Sequence, residues 1–253
     1  MQLLYELQQR NYILYVFGWL CFVGGMICSV LTQTTTIQVN NINAFIKPMK
    51  FFFSVGTFCW TMAWLVFELQ QPTTVNIYSI MVVVVMTIEL LIITWQAANG
   101  KLSHFNTAGA LNSTLFTIIG VAISILTLWT LYIGFLFFNL KNISIPSGYL
   151  WGIRLGITLF VIFSFEGGMM GARLSHTVGA ADGSVGTTIL NWSKQYGDLR
   201  VAHFFGIHAL QLLPLAGYYV FKNPIAIIIL AVVYCIWVSY LLIQALKGIS
   251  FLK

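Results

Sequence analysis

The residues of this sequence best suited to chemistry are four histidines, which follow or open apolar segments, and two glutamates inside such segments. They are His104, His176, His203, His208, Glu89 and Glu166. Imidazole and carboxylate groups bind transition metals, and in membranes they also carry protons. An ionisable group inside an apolar segment is costly and marks a functional site by default. All six residues are therefore candidate metal ligands.

Spacing limits which of these residues can act together. His203 and His208 are five residues apart, which separates them by about 140° around a helix, so the two rings cannot hold one ion from the same helix. Imidazoles from two different helices can ligate haem iron axially. Arg173 and Arg200, together with Lys101, could then meet the haem propionates. The predicted cofactor site consists of the four histidines with Arg173 and Arg200, and the predicted cofactor is haem b or a transition metal.

The two glutamates have neighbours on their own helix faces. Glu89 and Gln96 are seven residues apart and share a face. Glu166 and Arg173 have the same spacing, which places them about 10 Å apart along a helix. A GxxxG pattern at 167–171 lies between Glu166 and Arg173 and allows close approach of another helix or of a flat ligand. Ordinary helix packing and a ligand contact both stay open for these glycines.

The composition identifies the elements that must position these groups. The chain has 253 residues, of which 59% are hydrophobic and 7% are charged, against about 45–50% and about 25% in soluble domains. So few charges cannot cover a surface facing water, which makes this a multi-pass membrane protein with the lipid bilayer as its partner. The net charge of +6 is scattered along the chain, which excludes a nucleic-acid partner bound through a basic face.

Seven apolar segments are long enough to cross a bilayer, which needs about 20 residues per helix. They cover residues 12–31, 48–68, 78–97, 108–139, 149–170, 201–221 and 225–246. The first is too long for the apolar part of a signal peptide. Continuous apolar segments exclude a transmembrane barrel. We therefore predict an all-α bundle of about seven transmembrane helices, forming a single domain over residues 1–253 with a long polar loop at 173–200.

Counting the spans places all four histidines on the same side of the membrane. That side also carries eight of the twelve Lys and Arg residues, and the positive-inside rule makes it cytoplasmic. Lys47 and Lys50 are expected to snorkel to the membrane surface. In the long loop, Asp182 begins a turn, Trp192 is expected at headgroup depth and Asp198 caps the sixth helix. The loop is either a cover over a polar cavity or a solvated connector.

Several short sequences resemble an uncharacterised family of bacterial multi-pass membrane proteins. These are IKPMKF at 46–51, SHFN at 103–106, HTVG at 176–179 with DG at 182–183, NWS at 191–193, GDLR at 197–200, AHF at 202–204 and HALQ at 208–211. The resemblance covers most of the chain from the second span to the sixth. It implies a bacterial inner membrane, and it implies no particular activity or catalytic residue.

Two classes of function fit these residues. The first is a membrane oxidoreductase or electron carrier that holds haem or a metal and works with a quinone or redox partner. The alternative is a proton-coupled transporter, channel or small-molecule receptor whose cavity is lined by Glu89, Glu166 and His208. Against transport stands the absence of a visible inverted repeat in the sequence. A structural subunit would explain the hydrophobicity but not the carboxylates within the spans.

Overall fold

Seven helices in the structure, a computed structural model, are long and apolar enough to cross a membrane. The structure describes residues 2–140, 145–183, 186–187 and 190–252. A short helix, α1 (Gln2–Arg10), comes before the seven. These are α2 (Tyr12–Thr34), α3 (Ile46–Val66), α4 (Pro72–Ala98), α5 (Ala110–Asn139), α6 (Ser147–Arg173), α7 (Leu199–Leu215) and α8 (Pro224–Leu246). The predicted all-α class and the multi-pass membrane character are confirmed.

The helix ends follow local chemistry. Helix α4 begins at Pro72, six residues before the predicted start, because proline at the first helical position needs no hydrogen-bond partner for its nitrogen. A 3-10 turn, Phe67–Leu69, continues α3, and a π-helical turn, Ala216–Val220, continues α7. The π turn follows Pro214, which lies inside α7 and cannot donate a backbone hydrogen bond. Helix α6 ends where Leu174 adopts a left-handed conformation.

Two small antiparallel ribbons interrupt the helices. Strands β1 (Gln38–Val39) and β2 (Ile42–Asn43) pair between α2 and α3. Strands β3 (Thr177–Val178) and β4 (Gly197–Asp198) pair between α6 and α7 and close the long loop. Each ribbon brings the end of one long helix to the start of the next.

The chain divides into two compact units, one up to Leu126 and the other from Thr127 onward. The first unit contains α1 to α4 with the β1–β2 ribbon, and the second contains α6 to α8 with the β3–β4 ribbon. The unit boundary lies within α5. The single-domain organisation therefore stays a prediction, and each unit is described by itself below.

The two units repeat the same order of elements. Each contains a long helix, a two-stranded ribbon, a second long helix, a short turn and a third long helix. The ribbon ends on Asn43 in one unit and on Asp198 in the other, and each side-chain Oδ1 accepts a hydrogen bond from the backbone N–H two residues later. The third helix starts with Pro72 in one unit and Pro224 in the other. The chain thus carries a direct repeat of its element order.

The core of the second unit lies between α6, α7 and α8. Backbones approach closely there, because a Cβ at Gly152 would lie 2.4 Å from the carbonyl oxygen of Leu213. Trp192 of the long loop is 8% exposed and its ring packs edge-on against Phe204 and Phe251. The structure therefore places the ring of Trp192 in the core of its own unit, because the loop folds back onto that unit, and its position at headgroup depth stays a prediction.

Candidate functional site

A buried carboxylate and an imidazole meet in the second unit. Glu166 of α6 is 7% exposed, and its Oε2 lies 3.4 Å from Nδ1 of His203 on α7. His203 Nδ1 donates instead to the carbonyl oxygen of Phe163 at 2.8 Å. Within the part of the chain that the structure describes, neither carboxylate oxygen of Glu166 takes part in a hydrogen bond. The pair thus contains a buried acid group whose hydrogen-bonding capacity is unused.

Close packing of α6 on α7 holds this pair in place. A Cβ at Gly206 would lie 2.0 Å from the ring of Phe163, so only glycine lets α7 approach the turn of α6 that supplies the carbonyl group. A Cβ at Gly167 would lie 2.8 Å from Cε1 of His203. The glycines at 167 and 206 therefore make room for side chains of the facing helix. For Gly167, this supports ordinary helix packing over contact with a ligand.

The two histidines of α7 share one hydrogen-bond arrangement. His208 Nδ1 donates to the carbonyl oxygen of Phe204 at 2.7 Å, and the imidazole of His208 lies 4.1 Å from the phenyl ring of Phe204. A carbonyl oxygen can only accept, so Nδ1 carries hydrogen in both His203 and His208. In the neutral ring, Nε2 is then left with its lone pair. Each ring can accept a proton or bind a metal through that atom.

The first unit contains a second carboxylate–imidazole pair. Glu89 of α4 is 5% exposed, and its Oε1 lies 3.9 Å from Nε2 of His104 in the segment between α4 and α5. Nδ1 of His104 lies 3.2 Å from the hydroxyl oxygen of the buried Ser103. The sequence singled out both members of this pair but did not predict that they meet.

Aromatic rings surround His104 and cover most of it. The rings of Phe51, Phe105 and Phe116 lie 5.6 to 6.2 Å from the imidazole. Burial, followed by the positive charge of Lys47, lowers the pKa of His104 well below its ordinary value. Both causes oppose the charged ring, so His104 is a neutral imidazole at physiological pH.

Gln96 extends the polar face of α4 toward α5. Its side chain is fully buried, and Nε2 donates to Oδ1 of Asn112 at 3.0 Å. Its Oε1 has no hydrogen-bond partner among the described residues. The face shared by Glu89 and Gln96 therefore ends on a buried acceptor that a donor of a bound molecule could complete.

The long loop is held by its own hydrogen bonds. Oδ1 of Asp182 accepts from the hydroxyl group of Ser175 at 2.8 Å and from the backbone of Thr177 at 2.9 Å. The same atom lies 3.4 Å from Nδ1 of His176. Burial raises the pKa of Asp182, but the charge of His176 and these hydrogen bonds outweigh it and lower the pKa below the ordinary value. His176 thus serves the loop.

The two arginines of the predicted cofactor site lie in different surroundings. Arg200 donates from Nε and Nη2 to both carboxylate oxygens of Asp198, at 2.9 and 2.6 Å, and also to the carbonyl oxygen of Asn191. This fork fixes the loop to the start of α7, where Asp198 caps the helix as predicted. Arg173 is exposed in the last turn of α6. The structure therefore uses Arg200 for packing within the loop.

The predicted metal ligands are brought together only in pairs. In the described segments, no three His, Cys, Asp or Glu side chains form a group that could hold a metal ion. The predicted metal ligands and the predicted haem-binding residues stay predictions. The sequence did not predict that His203 would pair with the carbonyl group of Phe163. No residue type indicates such a partner, because every residue has a carbonyl oxygen.

Comparison with known proteins finds no match. No protein-family model, no curated protein and no solved structure is significantly similar to this chain.

Proposed function

We propose that the protein is a proton-coupled transporter of a small solute in a bacterial inner membrane. Glu166 and His203 are its proton-carrying pair. The observation that carries the proposal is the buried carboxylate of Glu166, which lies 3.4 Å from an imidazole nitrogen and whose oxygens have no hydrogen-bond partner among the described residues. A charge buried in that way must be compensated, and the compensating group is a proton or a polar group of the solute.

The chemistry of the pair suits proton exchange. His203 carries an imidazole group, which is the type of side chain that most often exchanges protons in proteins. With Nδ1 held by Phe163, its Nε2 is the atom that gains and loses the proton. Glu89 and His104 supply a second pair of the same kind in the other unit. Paired acids and imidazoles inside spans are typical of proton relays in pumps and transporters.

The repeated order of elements also favours transport. Many transporters are built from internal structural repeats, and the sequence alone shows no inverted one. The structure contains a direct repeat in α2 to α4 and α6 to α8. This direct repeat supports the transporter, the function that the sequence ranked second, over the oxidoreductase that it ranked first.

Proton flux in reconstituted vesicles tests the proposal. Purified protein is placed in liposomes loaded with a pH-sensitive dye, and sugars, amino acids, organic acids and amines are added outside in turn. We expect one solute class to change the internal pH. Glu166→Gln and His203→Asn should abolish that signal, whereas Glu6→Gln, at a half-exposed surface position, should leave it intact. Unchanged proton flux in Glu166→Gln would refute the assignment.

Haem binding is the second candidate, and one observation favours it. Both His203 and His208 donate Nδ1–H to a backbone carbonyl group. Histidines that bind a metal commonly make this hydrogen bond, which leaves Nε2 for the metal. A membrane oxidoreductase of this kind would need a quinone or another redox partner. An absorption spectrum of the detergent-solubilised protein tests this candidate, because bound haem gives an intense Soret band and its absence removes the candidate.

A further inference from the structure

A small cavity in the first unit lies outside both carboxylate–imidazole pairs. Its volume is about 40 Å³, and since a water molecule needs about 10–15 Å³ by this measure, it holds a few waters or one small ion. The cavity is bounded by the start of α3, the end of α4 and the segment that follows α4. Its lining includes Lys47, Pro48, Ile93, Ala97, Lys101 and Ser103.

The electrostatic character of this cavity is positive. Lys47 and Lys101 are charged lining residues, and no acidic side chain is among the lining residues that the structure describes, although Lys47 also acts electrostatically on Glu89. The first turn of α3 adds the positive end of a helix dipole beside Lys47 and Pro48, and no side chain caps that helix start. Two lysine residues and a helix N-terminus thus border one space. An anion is the ligand that this combination favours.

The backbone holds Lys101 rigidly at the cavity. The N–H of Lys101 donates to the carbonyl oxygen of Gln96 at 2.9 Å, which closes the end of α4. Gly100 before it has a φ of +64°, and a Cβ there would lie 3.6 Å from Ile37 beside the first ribbon. The turn therefore places Lys101 in the lining, although its side chain is otherwise exposed.

We propose that this cavity binds a phosphate group through Lys47 and Lys101, with the hydroxyl group of Ser103 as a further donor. Lys47 also acts electrostatically on His104, and the proposal requires only its positive charge. The cavity volume fits a single tetrahedral oxyanion. Its position at the ends of two membrane-spanning helices suits the phosphate of an anionic lipid headgroup, and inorganic phosphate has the same chemistry. This site is independent of the proposed transport activity.

Two binding measurements test the site and separate the two sources. Native mass spectrometry measures how much phosphatidylglycerol, against phosphatidylcholine, stays bound to the purified protein. Calorimetry measures binding of inorganic phosphate against chloride at equal ionic strength. Preference for phosphatidylglycerol alone identifies a headgroup site, whereas binding of inorganic phosphate shows that free anions enter. If neither phosphate source binds, the proposal is wrong.

Substitutions at one lysine connect the binding to the cavity. Lys101→Gln should weaken binding by about tenfold, the effect of losing one charge-assisted hydrogen bond, and Lys101→Arg should retain it. Lys194→Gln removes the same charge from an exposed position in the second unit and should change nothing. If Lys101→Gln binds as wild type does, or if Lys194→Gln weakens binding equally, the cavity is not the site. These readouts do not depend on proton flux, so failure here leaves the transport proposal untouched.

Discussion

Replacing Gly167 by alanine should disable the proton-carrying pair while leaving the fold intact. The new Cβ would lie 2.8 Å from Cε1 and 3.1 Å from Nδ1 of His203. Carbon atoms do not approach this closely, so the imidazole must move away from α6. Moving the ring lengthens its 2.8 Å hydrogen bond to the carbonyl oxygen of Phe163 and changes its distance to Glu166.

The neighbouring glycine provides the matched control. Apart from the adjacent residues and the backbone of α6 itself, no atom of the described residues lies within 4 Å of a Cβ placed at Gly168, so Gly168→Ala adds the same methyl group without a collision. Alanine in a helix interior is more stable than glycine by about 0.5–1 kcal/mol. Gly168→Ala should therefore raise the free energy of unfolding by up to about 1 kcal/mol.

Two opposing effects determine how much Gly167→Ala changes the free energy of unfolding. The same helix preference contributes about 0.5–1 kcal/mol, and loss of the hydrogen bond of His203 costs about 0.5–1.5 kcal/mol. The free energy of unfolding should thus change by no more than about 1 kcal/mol. Displacing a reacting group by 1 Å can slow a reaction by about 100-fold, so proton-coupled uptake should fall by at least about tenfold.

The assay compares both variants with wild type in two measurements on the same preparations. Thermal unfolding in detergent reports stability, and the change of internal pH in liposomes reports transport. The expected result is that both variants remain folded and only Gly167→Ala loses uptake. If Gly167→Ala transports as well as Gly168→Ala does, the geometry of His203 does not control activity and the reasoning is refuted.

Three further predictions concern stability. Thermal stability should fall as the pH drops below about 6.5, the ordinary pKa of histidine, because burial and Lys47 lower the pKa of His104 and the folded state resists its protonation. The contribution of Asp182 to the free energy of unfolding should be complete above its ordinary pKa of 3.8 and should be lost as the pH falls through its lower pKa in the folded state. Asp182→Asn should lower the free energy of unfolding, measured with denaturant, by about 1–2 kcal/mol. Gly206→Ala, which collides with Phe163, should lower the melting temperature markedly.

Each of these stability predictions has a contrary outcome. A His104→Gln variant should lose the acid sensitivity near neutral pH, and a variant as acid-sensitive as wild type would contradict the assignment. For Asp182→Asn, unchanged proteolysis of the long loop together with unchanged unfolding would show that the loop network is weak. Wild-type melting of Gly206→Ala would mean that α7 can move away from Phe163 at little cost.

The sequence predicted the spans well because the bilayer imposes a length and a composition that any single segment must meet. The seven predicted segments correspond to the seven helices. The start of α4 was predicted six residues late, because the polar segment after Pro72 looked like a loop while it continues the helix. The packing of Trp192 in the core was not predicted, because an aromatic residue in a loop is equally compatible with a membrane surface and with a core.

The sequence predicted which residue types form the candidate site, but it did not predict which of these residues contact one another. Glu89, Glu166 and the histidines stand out in sequence because ionisable groups are rare in apolar segments. Their division into one pair per unit, and the engagement of Arg200 with Asp198, depend on which helices pack together. Spacing along one helix carries no information about the facing helix.

Composition and periodicity therefore determined that this is a multi-pass helical membrane protein with a few ionisable groups inside its spans. These are properties of single segments in contact with lipid, and each segment can be interpreted without the others. Tertiary structure alone decided that Glu166 meets His203 with no hydrogen bond among the described residues, that Glu89 meets His104, and that two lysines border one cavity. Such contacts join residues on different elements, and only the packing of those elements brings them together.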